Sequence, residues 1–175
     1  MKVPNKSREE ILKEAEEKGY EFEKNYHGCA QCVLGPLMEI FEMEDPQAFK
    51  AASGMGGGVG LSVQGSCGAL VGGVMALGLC FGRELSNIAD PEGLRFISYR
   101  LANELHERFV QEYGSSICKE IHKKVLGKTY HLNVPEEWDA FLAAGGHSDK
   151  CPGVVGKGAR WGAELLLDEL EKQGK

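Results

Sequence analysis

Apolar residues recur every three to four positions along most of the chain, and this spacing predicts α-helices with little strand. Ser7-Arg8-Glu9-Glu10 has the pattern of a capping box and precedes a helix whose apolar residues fall on one side. Proline after an aspartate, as in Asp45-Pro46 and Asp90-Pro91, marks further helix starts. The predicted helices begin at Ser7, Gly28-Cys29 (to about Met43), Asp45-Pro46 (to near Gly54), Gly68 (to Gly82), Asp90-Pro91, Ser115-Ser116 (to Gly127), Pro135 and Cys151-Pro152.

No linker, repeat or low-complexity tract divides these elements, so we predict one domain over residues 1–175. Its fold class is all-α, a single-domain helical bundle with a Gly-rich loop before a buried central helix. The loop is the run from Gly54 to Gly60, and the helix follows from about Gly68. Neither the lysine of a phosphate loop nor a preceding strand is present, so the glycines favour close packing over a nucleotide site.

Charge and apolarity narrow the class of protein further. The 175 residues carry a net charge of −6 without a run of Lys and Arg, which argues against a nucleic-acid ligand. The charged N-terminus lacks the apolar core of a signal peptide, so we expect a cytoplasmic protein with reduced thiols. Residues 51–82 lack charge, but the apolar part, Ala69 to Phe81, is too short for a stable membrane span.

Four of the six cysteines fall at predicted helix starts: Cys29, Cys67, Cys118 and Cys151. A helix N-terminus offers unpaired backbone N–H groups and the positive end of the helix dipole. Both stabilise a thiolate, so we expect lowered thiol pKa values at these positions. Because the thiolate is both the nucleophile and the metal ligand, the pattern points to an arrangement of reactive sulfurs, although free cysteines also pack as small apolar residues.

The remaining two cysteines differ from these four. Cys32 follows Cys29 as C-x-x-C, which would make the two a dithiol pair, but no strands flank it as in thioredoxin. Val33 rather than His follows, so the c-type haem motif is absent. Cys80 lies late in the apolar helix beside other apolar residues, where a packing role is expected.

Two histidines lie one turn from a cysteine: His122 after Cys118, and His147 before Cys151. Either imidazole is able to bind metal or move a proton, and lone histidines often do neither. The sequence leaves their roles open. Zinc is a further option, but zinc sites usually use two close cysteine pairs and only Cys29 and Cys32 are close in sequence.

The chain resembles the C_GCAxxG_C_C family of redox-active proteins. The segment Cys67-Gly68-Ala69-Leu70-Val71-Gly72 matches the CGAxxG signature, the run 51–58 leads into it, and Cys29, Cys118 and Cys151 match the other family cysteines. The resemblance extends over about residues 20–172. The family is similar to the non-haem part of split-Soret cytochromes, for which an iron–sulfur centre has been proposed. The resemblance does not imply a bound haem, because the chain has no C-x-x-C-H motif for haem attachment.

The resemblance implies a redox protein in which Cys29, Cys67, Cys118 and Cys151 converge. They would ligate an iron–sulfur cluster, [2Fe–2S], for electron transfer, or the protein would cycle between dithiol and disulfide through Cys29 and Cys32. Cys32 would then replace or resolve Cys29. The alternative is a non-enzymatic structural or partner-binding domain with a zinc or buried-cysteine site. The redox partner is not identified by the sequence, and a homodimer is one option for the assembly.

Overall fold

The computed structural model describes residues 2–174, which form eight α-helices. Their bounds are α1 Arg8–Tyr26, α2 Cys29–Ile40, α3 Pro46–Ala51, α4 Gly68–Phe81, α5 Leu94–Tyr113, α6 Cys118–Leu126, α7 Pro135–Ala143 and α8 Cys151–Lys172. Short 3₁₀ turns cover Ala52–Met55 and Leu85–Asn87, and a π turn covers Gly146–Lys150. The described part contains no β-strand, only a single bridge between Ser66 and Ile117. The all-α prediction is confirmed.

Side-chain caps explain several of the helix starts. The Ser7 side chain accepts from the Glu10 amide while the Glu10 carboxylate accepts from the Ser7 amide, which completes the predicted capping box of α1. The Asp45 carboxylate accepts from the amides of Gln47 and Ala48 at the start of α3, with Pro46 in the first turn. These short-range signals therefore specified the local structure as predicted.

Other boundaries differ from the predicted ones. α5 begins at Leu94 rather than next to Pro91, because Gly93 adopts a left-handed conformation and the buried Asp90 carboxylate accepts from the amides of Leu94 and Arg95. α2 ends at Ile40 rather than near Met43. α6 begins at Cys118 rather than next to Ser115-Ser116. The Ser115 hydroxyl accepts from the Ile117 amide in a turn that precedes the helix.

α4 is the central helix that the sequence predicted. It packs against α2, α5 and α8, and its apolar side chains on both flanks lie in the main hydrophobic core. A Cβ atom at Gly72 would overlap the carbonyl oxygen of Ala30 in α2, and one at Gly73 would lie 2.6 Å from a methyl carbon of Leu105 in α5. The glycines therefore allow the close helix packing that was expected of them.

A second, smaller hydrophobic cluster lies beside the main core. It contains Val63, Cys118, Tyr130, Leu132 and Phe141, all buried. Phe141 of α7 is at its centre, where its ring packs edge-on against Tyr130 and parallel to His122. This cluster forms one wall of the cavity described below.

Within residues 2–174, no helix is both long enough and apolar enough to cross a bilayer.

Candidate functional site

The four cysteines at the helix starts surround one cavity of about 100 Å³. Cys29, Cys118 and Cys151 are the first residues of α2, α6 and α8, and Cys67 is the residue that caps α4. The four thiols also affect one another electrostatically. In each of the six possible pairs, negative charge on one sulfur raises the pKa of the other thiol. Four positions spread over 123 residues of sequence thus meet in space.

Backbone amides point at two of these sulfurs. The N–H groups of Ala30 and Gly57 lower the pKa of the Cys29 thiol, and those of Ala69 and Leu70 lower the pKa of the Cys67 thiol. Both pairs include the unpaired amides of a helix first turn, which is the arrangement expected for a cysteine at a helix start. Amides in this position favour negative charge on sulfur, whether a thiolate or a metal-bound thiolate.

Cys151 does not lie at a free helix end, contrary to the sequence prediction. The π turn Gly146–Lys150 leads directly into α8, with Lys150 already in a helical conformation. The Cys151 amide accordingly donates to the carbonyl oxygen of Gly146. The prediction of a cysteine in the cap position is wrong here, because the preceding loop is itself helical.

The expected lowering of the thiol pKa values is also wrong for the metal-free side chains. Burial, which disfavours a charged sulfur, raises the pKa of Cys67 and of Cys118 to about 12. Burial together with the nearby Glu23 raises the pKa of Cys29 and of Cys151 well above the usual value of a thiol. The backbone amides near Cys29 and Cys67 oppose this effect but are outweighed. The four side chains are therefore neutral thiols at physiological pH unless a positive charge enters the cavity.

The Gly-rich loop closes one side of the cavity through a left-handed backbone. Residues 57–61 all have positive φ, between 56° and 69°, as does Val63. Three of the six are glycines, and the other three are Val59, Leu61 and Val63, for which this conformation is strained. The turn is held by main-chain bonds, for instance from the Val63 amide to the Gly57 carbonyl. The loop is thus tightly turned rather than flexible, and Gly56, Gly57 and Leu61 line the cavity.

Gly68, the glycine of the CGAxxG segment, has a specific steric role. A Cβ atom there would overlap the Sγ of Cys29 and lie 3.0 Å from the carbonyl oxygen of Met55. Only glycine leaves room for Cys29 next to the first turn of α4. Together with Gly72, one turn later on the same face, it brings the start of α2 against α4.

Cys32 and Cys80 do not line the cavity. The buried Cys32 donates to the carbonyl oxygen of His27, with 3.0 Å between sulfur and oxygen, and also interacts with the Glu23 side chain. Cys80 lies against the main core, 3.0 Å from the Sδ of Met43. None of the six cysteines, all of which the structure describes, forms a disulfide.

Two residues of the cavity wall were missed by the sequence reasoning: Glu23 and His27. Glu23 is only 2% exposed, and its Oε1 lies 3.2 Å from the Nδ1 of His147. The His27 ring packs against the His147 ring with 4.0 Å between centroids. For Glu23 a signal was available, because Ala15, Gly19 and Glu23 follow one another at four-residue spacing along the buried face of α1. His27 is exposed and follows the last residue of α1, so this spacing did not point to it.

His122 and His147 also line the cavity, so the roles left open by the sequence belong to this site. The Nε2 of His122 lies 3.7 Å from the Sγ of Cys118, both residues being buried. Burial, with a smaller effect of His147, lowers the pKa of His122 to about 4, so its imidazole is neutral at physiological pH. Among the described residues, three buried side-chain atoms make no hydrogen bond: Glu23 Oε2, His122 Nδ1 and His147 Nδ1. All three belong to the cavity wall.

No group of three or more Cys, His, Asp or Glu side chains within residues 2–174 is gathered closely enough to hold one metal ion. The four cysteines instead line the wall of the cavity together with other residues.

The chain is thus an all-α protein in which four cysteines at the starts of four helices line one apolar cavity. The family model described as "Putative redox-active protein (C_GCAxxG_C_C)" matches residues 27–165, and the chain belongs to this family. The matched region contains all four cavity cysteines and begins directly after α1. No curated protein and no solved structure has significant similarity to the chain.

Proposed function

We propose that the cavity binds an iron–sulfur cluster of the [2Fe–2S] type, held by Cys29, Cys67, Cys118 and Cys151, and that the protein transfers electrons. The observation that carries this proposal is the convergence of the four cysteines on one cavity. A bound cluster would supply one-electron redox chemistry at the centre of these sulfurs.

The electrostatics of the cavity support a cationic metal centre. Burial in an apolar wall disfavours charge on the four sulfurs, and repulsion by Glu23 and by the other thiolates adds to this cost, so their pKa values are raised. Iron ions offset the sulfur charge, and the backbone amides near Cys29 and Cys67 reduce the remaining negative charge. Cluster binding should therefore release thiol protons, as metal binding to thiols does.

The size of the cavity favours a cluster over a single zinc ion. A tetrahedral zinc site with Zn–S bonds of about 2.3 Å draws four sulfurs around one point and leaves no room between them. The cavity that the four cysteines line measures about 100 Å³, whereas about 10–15 Å³ suffices for one water. A polynuclear centre fits that space better than one ion does.

A dithiol–disulfide cycle is the second candidate, favoured by four cysteines that line one cavity and affect one another's pKa values. Its pair would come from the cavity rather than from Cys29 with Cys32, because the Cys32 sulfur is directed to the His27 carbonyl. The raised thiol pKa values oppose this candidate, since the attacking species is the thiolate.

Anaerobic purification tests the proposal. We expect a coloured protein with two irons and two acid-labile sulfides per chain. Colourless protein with about one zinc per chain would support the structural alternative, and metal-free protein that loses two thiols on mild oxidation would support the disulfide cycle.

Two cysteine variants localise the centre. Cys67→Ser should abolish the visible absorption, and Cys80→Ala, which changes a cysteine outside the cavity, should leave it intact. Retained colour in Cys67→Ser would remove Cys67 from the ligand set, and bleaching in Cys80→Ala would contradict its packing role.

A further inference from the structure

His122 is placed like a ligand rather than like a core residue. It is 3% exposed, it lines the cysteine cavity, and its Nδ1 makes no hydrogen bond within the described chain. Among residues 2–174, the polar partner of its Nε2 is the Cys118 sulfur. Burial of an imidazole costs free energy when neither of its nitrogens is hydrogen-bonded to a protein nitrogen or oxygen. A bound metal would remove this cost by accepting a nitrogen lone pair.

The distance between the two side chains has a simple metal-site interpretation. With a metal–sulfur bond of about 2.3 Å, a metal–nitrogen bond of about 2.1 Å and a tetrahedral angle, two ligands of one ion lie about 3.6 Å apart. The distance from Cys118 Sγ to His122 Nε2 is 3.7 Å. Because the residues are four apart in α6, the helix itself holds them in this geometry.

Neighbouring residues keep the imidazole in place. The Phe141 ring stacks on the His122 ring with a centroid separation of 5.4 Å and an interplanar angle of 21°. Cys118 is held by its amide, which donates to the Gly65 carbonyl, and by the tight approach of Gly58 to its Cβ. The pair is therefore organised before any metal binds, which lowers the cost of binding.

We propose that His122 Nε2 and Cys118 Sγ bind the same metal atom, so that the centre in the cavity has mixed sulfur and nitrogen ligation. This inference rests on the proposed metal centre, and it makes His122 one of the four protein ligands in place of Cys29, Cys67 or Cys151. In a [2Fe–2S] cluster each iron takes two protein ligands, so a ligand pair is the unit that one iron requires. Replacement of a cysteine by histidine on one iron raises the reduction potential of such clusters.

Pulsed electron paramagnetic resonance on the reduced, cluster-loaded wild-type protein tests this directly. With histidine as the only ¹⁵N-labelled residue, we expect a strong nitrogen coupling that changes between the ¹⁴N and ¹⁵N samples. The coupling should persist in His147→Gln, which changes another cavity histidine, and disappear in His122→Cys while a cluster remains. A cluster without strong nitrogen coupling would overturn the inference, because His122 would then only donate a hydrogen bond to sulfur, and would leave the proposed function standing.

Cobalt binding tests the pair independently of any cluster. Reduced, metal-free protein titrated with Co²⁺ alone should show a thiolate-to-cobalt charge-transfer band, and both Cys118→Ala and His122→Ala should weaken binding at least about 10-fold. His131→Ala, which changes an exposed histidine outside the cavity, should bind as the wild type does. His122-dependent cobalt binding in a protein that assembles no cluster would contradict the proposed function and keep the inference. Equal affinity in His122→Ala and the wild type would overturn the inference.

Discussion

Replacement of Gly68 by alanine is the sharpest test of how the site is built. The added Cβ would overlap the Cys29 sulfur and crowd two backbone atoms, the Met55 oxygen at 3.0 Å and the Ala30 nitrogen at 3.1 Å. The sulfur has to retreat, and the backbone at the junction of α2 and α4 has to shift. Overpacking of this kind costs about 1–3 kcal/mol.

Helix propensity acts in the opposite direction and reduces the net effect. Gly68 is the first residue of α4, where alanine is favoured over glycine by at most about 1 kcal/mol. We therefore expect Gly68→Ala to lower the free energy of unfolding by about 1–2 kcal/mol. For a chain of this length that corresponds to a fall in Tm of very roughly 2–8 °C.

The assay is urea unfolding of the reduced protein followed by circular dichroism. Gly153→Ala is the matched control, because Gly153 lies in the first turn of α8 next to a cavity cysteine, yet its added Cβ would meet nothing within 4 Å. The control should be as stable as the wild type or more stable by up to about 1 kcal/mol. A Gly68→Ala protein as stable as its control, with unchanged metal loading, would refute the steric role of Gly68.

Two further predictions concern the cavity. Because burial raises the folded-state pKa of Cys67 to about 12, whereas an unfolded thiol titrates at about 8.5, the metal-free protein holds protons that the unfolded chain releases. The contribution of this thiol to the free energy of unfolding should therefore be fully present below about pH 8.5. It should fall towards pH 12 by up to about 1.4 kcal/mol per pH unit for each such thiol, as measured by urea unfolding. The same dependence of the free energy of unfolding on pH in Cys67→Ala would contradict this assignment. Phe141→Ala, at a side chain 1% exposed, should cost about 3–5 kcal/mol, against about 0.5 kcal/mol or less for Phe96→Ala at a ring 59% exposed. Equal unfolding midpoints for the two variants would contradict the importance of the small cluster.

Local sequence signals were sufficient for most of the fold. The capping box at Ser7, the Asp45-Pro46 start and the apolar run after Gly68 each specify an element through contacts within a few residues. They failed where a cap acts over a longer distance. The Asp90 carboxylate caps α5 from four residues upstream, and a proline next to it suggested an earlier start.

The cysteine arrangement was predictable in outline because helix starts share one chemistry, the unpaired amides. Its electrostatics were not, since the pKa of a thiol depends on burial, and burial is a property of the assembled helices. Glu23 was missed for a related reason. A glutamate in a charged helix is normally exposed, and only its four-residue spacing from the buried Gly19 and Ala15 places it on the buried face.

The left-handed loop lay beyond sequence reasoning altogether. Branched residues such as Val59 and Val63 disfavour positive φ, so the pattern gave no reason to place them there. The conformation is imposed by tertiary contacts: Val63 is fully buried in the small cluster, and its carbonyl accepts from the Lys119 amide at the start of α6. Strain of this kind is common at functional sites.

The most direct test of the central claim is a crystal structure of the anaerobically purified protein with anomalous scattering recorded at the iron edge. We predict an iron peak inside the cavity bounded by Cys29, Cys67, Cys118 and Cys151. Iron bound elsewhere on the chain, or the four sulfurs around a cavity that takes up no iron even after anaerobic reconstitution, would contradict it.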